Sequence, residues 1–454
     1  MVGPGEFEKV VELVMKEKKA DEAEVRIIYS DSSLTRFANS RIHQNVAREM
    51  INVSIRAVKG KRVGAAGVGT LNSERVIECL RNAEKIATLQ PEDPNFKGLP
   101  GKRPGKNEPE RYDEYTAKHP PEEKAEMIAD MIKYAGDNNV DRIYGALATT
   151  DSSVFMANSN HIRQSGKFSR ADLSTTVIAD WDGDRGFGRA EVCSGDIRDI
   201  DHTAVIKTAV DKGLNNMDTV SVQPGEYTVI LEPMAVNSLV LYLSMMGLSA
   251  KAVQEQRSFM NGKFGERIMD ERINLVDDAF NEKTIGYGFD FEGMPKQRVE
   301  MIKNGVANAV VYDSYTAGRE EGKESTGHAL PMPSSYSPMA MNLIMEGGDS
   351  SVKEMIEDTE KGILVTRFNY LGVVHPVKSI VTGLTRDGTW QIEDGEVTGP
   401  VKNLRFTQNL VDAFDSVELI GKKQELFAMG WLSGHVTCPA LKINNFNFTG
   451  GTEF

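Results

Sequence analysis

Residues 232–254, EPMAVNSLVLYLSMMGLSAKAVQ, constrain the fold more than any other segment of the chain. The stretch follows the strand-like EYTVIL and opens on Glu232-Pro233, where proline at a first helical position is already set for a helix. Its apolar residues fall on nearly every face instead of along one stripe. A helix of that kind is stable only when other elements surround it. It is too short, and too interrupted by Asn237, Ser238, Ser244 and Ser249, to cross a bilayer comfortably. The segment therefore belongs at the centre of a core, and from Pro233 to Ala250 it offers no carboxylate, imidazole or thiol.

A chain of 454 residues, 40% hydrophobic and 26% charged, has room for two or three domains and enough apolar content to bury their cores. The formal net charge of -13 argues against general nucleic-acid binding, which needs a basic surface to release counterions. Cys79, Cys193 and Cys438 are far apart and form no CxxC pair, which speaks against a thiolate zinc knuckle or a disulfide framework. The opening MVGPGEFEKVVELVMKEKKADEAEVR is charged throughout and lacks the apolar centre of a signal peptide. The expected location is the cytoplasm, with neither membrane nor direct nucleic acid as partner.

The periodicity predicts an amphipathic first helix, a strand EVRIIYS, and a hairpin in MINVSIRAVKGKRVGAAGVGT turning near Lys59 to Arg62. A helix follows in NSERVIECLRNAEKIATL, with Asn72 or Ser73 as N-cap. Residues 90–121, dense in proline, glycine and charge, read as a long surface loop. DSSLTRFANSRIHQ at 31–44 is echoed by DSSVFMANSNHIRQ at 151–164, and both look like strand–turn–strand units of one mixed sheet. Duplication and chance similarity both explain the echo. A second long hairpin turns at WDGDRG. SVQPGEY is the expected boundary between an N-terminal α+β domain (1–222) and a C-terminal domain (223–454). Beyond residues 232–254 the second half is rich in short strands and Gly turns, which predicts a β-rich, largely antiparallel, barrel-like domain and an α+β class for the whole.

Candidate chemistry is sparse. The seven histidines include no two within ten residues, so two histidines on one helix cannot form a local metal motif. His435 and Cys438 in GHVTCP are the best local pair of zinc-type donors. The competing reading is a loop histidine and a buried cysteine. In GFDFEGMPKQRVEMIKNGV, Asp290 and Glu292 alternate with Phe289 and Phe291 before Gly293; on a strand the two carboxylates would share a face and tune each other as acid and base. The alternative is a solvated strand face with phenylalanines in the core. KESTGHALP sets Ser325, Thr326 and Gly327 beside His328, a combination of hydroxyls and accessible amides that could hold a peptide or carboxylate end, or form a plain loop.

Taken in order, SLTRFANSRIHQ, VKGKRVGAAGVGTL, FDFEGMPKQRVEMIKNGVANAVVYDSYTA, STGHALP, MNLIMEGGDSSVKEMIEDTEKGILVTRF, GTWQIEDGEVTGPVKNLRF and PALKINNFNFTGG resemble the TldD/TldE (PmbA) family, also described as modulators of DNA gyrase. The resemblance implies pairing of TldD- and TldE-type chains around a chamber, with TldD-type members as zinc peptidases carrying His-Glu-x-x-x-His on a helix that opens the C-terminal domain. In this chain that helix lies in residues 232–254, and Leu241, Tyr242 and Met246 occupy the His, Glu and His positions. No histidine occurs from Thr203 through Gly327. The expected role is a TldE/PmbA-like subunit without its own cofactor, paired with a TldD-like peptidase that holds the zinc, and handling unfolded peptide through an open strand edge. Its candidate peptide cleft is Phe289, Asp290, Glu292, Gly293 and Ser325 to His328. Two rivals remain: a hydrolase using Asp290, Glu292, His328, His375 or His435, and a homodimeric interaction protein without catalysis.

Overall fold

The computed structural model describes residues 4–105, 109, 111–182, 184–429 and 434–452. The first half runs α1 (Pro4–Glu17), β1 (Glu22–Ala38), β2 (Arg41–Lys59), β3 (Arg62–Val68), α2 (Ser73–Leu89) and α3 (Glu114–Ala117). It continues with α4 (Pro121–Asp137), β4 (Arg142–Asn158), β5 (Arg163–Trp181), β6 (Asp184–Ser194) and α5 (His202–Leu214). The second half begins with β7 (Gly225–Leu231), α6 (Pro233–Gly247), α7 (Ala250–Gln254), β8 (Leu275–Asp277), β9 (Val299–Lys303), β10 (Val306–Ala307) and α8 (Ser314–Ala317). Then come β11 (Asn342–Met345), α9 (Val352–Glu357), β12 (Lys361–His375), β13 (Ile380–Glu393), β14 (Glu396–Pro400) and β15 (Leu404–Asn409). It closes with α10 (Leu410–Asp415), β16 (Val417–Ala428) and β17 (His435–Gly451).

The first sheet has the order β3-β2-β1-β4-β5-β6 and every pairing in it is antiparallel. The echo in the sequence lies at its centre. Asp31 of the first copy stands opposite Asp151 of the second where β1 meets β4. Helix, three strands and helix occur twice, as α1-β1-β2-β3-α2 and α4-β4-β5-β6-α5. Each copy builds its own core: Val10, Val14, Val76 and Leu80 close over Val25, Ile27, Val53 and Ile55, while Ile128, Met131, Ile206 and Val210 close over Ile143, Leu147, Leu173 and Val177. Gly64 and Gly188 mark equivalent crossings, where a Cβ would meet Ala83 O at 2.2 Å or Ala209 O at 2.1 Å. These positions admit only glycine because a helix backbone lies directly on the strand. Duplication is the reading that the element order and these crossings support.

The segment read as a surface loop, 90–121, is pinned between the two halves. Phe96 and Leu99 pack with Val58, and Tyr315 Oη donates to Asp93 Oδ2 at 2.8 Å. Positions 106–108 and 110 of that segment, and Gly183 in WDGDRG, lie outside the described residues.

The second sheet is mixed, with parallel pairings of β7 to β12 and of β11 to β17. Strands β17, β15, β13, β12 and β7 pair in succession, and β17 pairs again with β7, closing a five-stranded ring. α6 packs beside β12 and β17, with Ala235, Val236, Leu239, Val240 and Leu243 fully buried among ring residues such as Val365, Phe406 and Phe446. Burying each Val or Leu side chain contributes about 1.5–3 kcal/mol, which is why this helix tolerates so few polar groups. Among the described residues no helix is long and apolar enough to cross a membrane.

Candidate functional site: a joint, a metal-helix position and a cleft

Asp290 and Glu292 do not lie on a strand. Phe289 bridges to Pro295, Asp290 N–H donates to Met294 O at 2.9 Å and Gly293 N–H to Asp290 O at 3.0 Å, so the chain folds into a tight turn. Gly293 holds φ +75° there, and a Cβ would strike Ile162 at 2.5 Å. Neither carboxylate is solvated: Asp290 is 2% and Glu292 5% exposed. The strand and the solvated face are both overturned, because the turn draws the two carboxylates inside the protein, while Phe289 does lie in a core cluster and the Glu292 charge does raise Asp290.

Asp290 accepts N–H bonds from Glu292, Met294 and Ala329, each at 2.9 Å. Burial, reinforced by the Glu292 charge, nevertheless pushes its carboxyl up to about 8. Glu292 meets Arg56 of β2 at 3.2 Å, and Arg56 also meets Glu24 of β1 at 2.6 Å. The other Glu292 oxygen accepts Ser314 N–H at 3.0 Å. Burial raises the Glu292 carboxyl, with Arg56 opposing. Burial alone would lower the Arg56 guanidinium, but its two carboxylates hold it above its ordinary value. This ionic joint ties the first sheet to the second half.

Of the other named residues, Phe289, Ser325, Gly327 and His328 are buried and Thr326 is half-buried. Phe289 stacks on Tyr287 with ring centroids 5.8 Å apart. Thr326 Oγ1 accepts Tyr312 N–H at 2.8 Å and lies 2.9 Å from His328 Nδ1. His328 Nε2 lies 3.0 Å from Asp277 Oδ1. Burial would raise Asp277, but His328, Lys296 and the Asn342 backbone hold it at about 2. Ser325 Oγ accepts Gly327 N–H at 3.2 Å, and Gly327 has φ +78° with Pro295 O only 2.3 Å from where a Cβ would sit.

His435 and Cys438 share β17 but are three residues apart, so they point to opposite faces. Cys438 Sγ donates to Pro233 O at 3.2 Å, at the start of α6. His435 lies fully buried beside β11, and burial, together with Arg170 and Lys296, pushes its imidazole down to about 3. His375 is exposed on β12. Among the described residues no group of three or more His, Cys, Asp and Glu side chains is arranged to hold a metal.

On α6, Met246 is buried, whereas Leu241 and Tyr242 are partly exposed, and Tyr242 Oη donates to Leu371 O at 2.6 Å.

A concavity lies elsewhere. A cleft of about 1140 Å³ opens between the sheets, walled by β6, the start of α5, the first residues of α6 and β16. None of the residues named above for a peptide cleft lines it. An ion pair of Lys212 and Glu232 crosses its wall.

Family models describe the same chain in three consecutive parts: PmbA/TldA metallopeptidase domain 1 over residues 23–87, the central domain over 114–217 and the C-terminal domain over 224–450. The chain belongs to the PmbA/TldD metallopeptidase family. A metalloprotease of Methanocaldococcus jannaschii is 24% identical over 441 residues, covering 94% of each chain. A TldD-homologue metalloprotease of Haemophilus influenzae is 24% identical over 431 residues, 88% of this chain and 87% of that protein. The crystal structure of TldE from Thermococcus kodakarensis superposes with a TM-score of 0.88 at 23% identity, covering 98% of this chain and all of that one, which is a likeness of fold.

The zinc expected of PmbA/TldD metallopeptidases does not fit the residues at the motif positions of α6. Leu241 has no donor atom, the Tyr242 hydroxyl is bonded to Leu371 O, and the Met246 thioether is turned into the apolar core. Sequence reasoning overlooked Arg56, Glu24 and Asp277. The available signal was the hairpin register, which sets Glu24 directly opposite Arg56 on the sheet face turned away from Val25 and Ile55.

Proposed function

We propose that this chain is the non-catalytic, TldE/PmbA-like subunit of a TldD/TldE-type peptidase assembly. It closes a chamber around unfolded peptide in the cytoplasm, and the zinc chemistry belongs to a TldD-like partner. The observation that supports this reading is the packing of α6, where Leu241 and Met246, which the resemblance aligns with the motif histidines, join the apolar core and Tyr242 bonds Leu371 O. Family membership supplies the peptide substrate class. The internal position of Asp290, Glu292 and His328 removes support from an independent hydrolase, because each is enclosed and none lines the cleft.

Co-expression with a TldD-like chain bearing His-Glu-x-x-x-His tests the reading. A stable heteromeric complex should form, and cleavage of an unfolded peptide should require both chains. Failure of the two to associate at micromolar concentration would sink it. Light scattering of the protein alone separates it from the rival homodimeric reading, which requires a self-sufficient dimer.

A further inference from the structure

We propose that an extended peptide adds to the outer edge of β6 as a seventh strand of the first sheet, its backbone pairing with Arg189, Glu191 and Cys193 inside the cleft. The inference deepens the peptide-handling reading above and rests on it for the ligand class.

The register decides which residues are available. Asn158 N–H donates to Ile162 O at 3.1 Å, so the even-numbered residues of β5 face β4. The β4–β5 and β5–β6 pairings run without a register shift. Alternation then turns the even-numbered residues of β6 toward β5, and Phe187, Arg189, Glu191 and Cys193 outward. Asn216 Nδ2 donates to Phe187 O at 3.0 Å, as an outward carbonyl requires, and caps one end of the edge. From Arg189 to Ser194 the strand lines the cleft, and among the described residues it pairs with no strand but β5. The facing edge of β16 is less open, because Lys422 N–H donates to Ser350 O at 2.8 Å and Gly348 N–H to Gly421 O at 3.0 Å.

Charge supports an occupant recognised by its backbone. The lining carries both signs in near balance, six basic and eight acidic side chains, with Arg189 paired to Glu191 at 2.6 Å and Lys423 to Glu425 at 2.8 Å. No single-sign ligand is favoured, whereas a row of unpaired amide and carbonyl groups suits an extended chain of varied sequence.

The test uses the protein alone, a fluorescein-labelled twelve-residue Thr/Val/Ser peptide and its twin N-methylated at every residue, which leaves neither strand edge a donor, read by anisotropy. Saturable binding is expected, about tenfold weaker for the twin. Because the Glu191 N–H faces outward, Glu191→Pro deletes a ligand donor without breaking the β5 ladder and should weaken binding about tenfold. Glu191→Ala keeps that donor and should bind like wild type. Equal affinity for the twin, or no saturation by ~1 mM, overturns the inference whether or not the proline variant folds. A folded Glu191→Pro variant that binds like wild type also overturns it. Partner association without peptide binding by this chain removes the edge site alone; peptide binding without association removes the assembly reading alone.

Discussion

Replacing Arg56 by Met removes the ion-pair partner of two buried carboxylates, leaving Glu24 only the more distant Arg26 charge and Glu292 none. The side chains of Arg56, Glu24 and Glu292 are 7%, 4% and 6% exposed in their pairs, so solvent screens little of the interaction. Breaking a buried pair by removing one partner costs about 3–5 kcal/mol, because the remaining charge stays desolvated. Arg56 serves two carboxylates, so the upper part of that range is expected, equivalent to roughly two to four decades in an opening equilibrium. The two halves need not unfold together, so the local readout is native-state hydrogen exchange of the Val25, Ile27, Val53 and Ile55 amides. Arg56→Met combined with Glu24→Gln and Glu292→Gln removes all three charges and should recover most of the loss, since neutral replacement of a buried ionic cluster is often tolerated. A single-variant effect below about 1.4 kcal/mol, or a triple variant worse than the single one, would refute the view that uncompensated charge governs this joint.

His435 should produce acid sensitivity. Its folded pKa of about 3 lies below the ordinary histidine value of 6.5, so the folded state binds fewer protons in that interval. Its contribution is complete above pH 6.5 and is lost as pH falls toward about 3, by at most about 5 kcal/mol. His435→Leu should flatten that part of the stability profile measured by urea unfolding. Asp290, raised to about 8, acts in the opposite sense, losing stability between its ordinary value near 4 and pH 8, so the diagnostic quantity is the difference between variant and wild type. Leu243→Ala in the α6 core should cost about 2–5 kcal/mol by the same assay. Combining Leu241→His, Tyr242→Glu and Met246→His should not yield stoichiometric zinc by elemental analysis, since Met246 is sealed in the apolar core while Leu241 and Tyr242 stand at its partly exposed margin; one zinc per chain would contradict that placement.

What could be read from the sequence was local. The apolar faces of residues 232–254 demanded burial, and α6 buries most of its length against β12 and β17 of the ring. The repeated DSS…ANS pattern encoded two hairpins, because each forms within a short span. The joint was hidden, because Arg56 and Glu292 are separated by 236 positions and nothing near either names the other. Asp290 and Glu292 misled for a related reason. Their alternation with phenylalanines has strand period, but Gly293 and Pro295 close the segment into a turn, and only tertiary packing makes that turn's carboxylates internal.

Duplication also accounts for where the cleft lies. Two copies joined through β1 and β4 leave two outer edges, β3 and β6, which begin as equivalents. An unpaired edge invites association with other chains unless it is short or covered. β3 has seven residues and carries Gly64 and Gly67. β6 has eleven and faces β16 across the cleft. The longer edge is thus the sheltered one, and the second half that shelters it supplies the opposite wall. A solvent-exposed edge as long as β6 would be an aggregation liability; enclosed in a cleft whose walls carry both signs in near balance, the same backbone groups can select an extended guest.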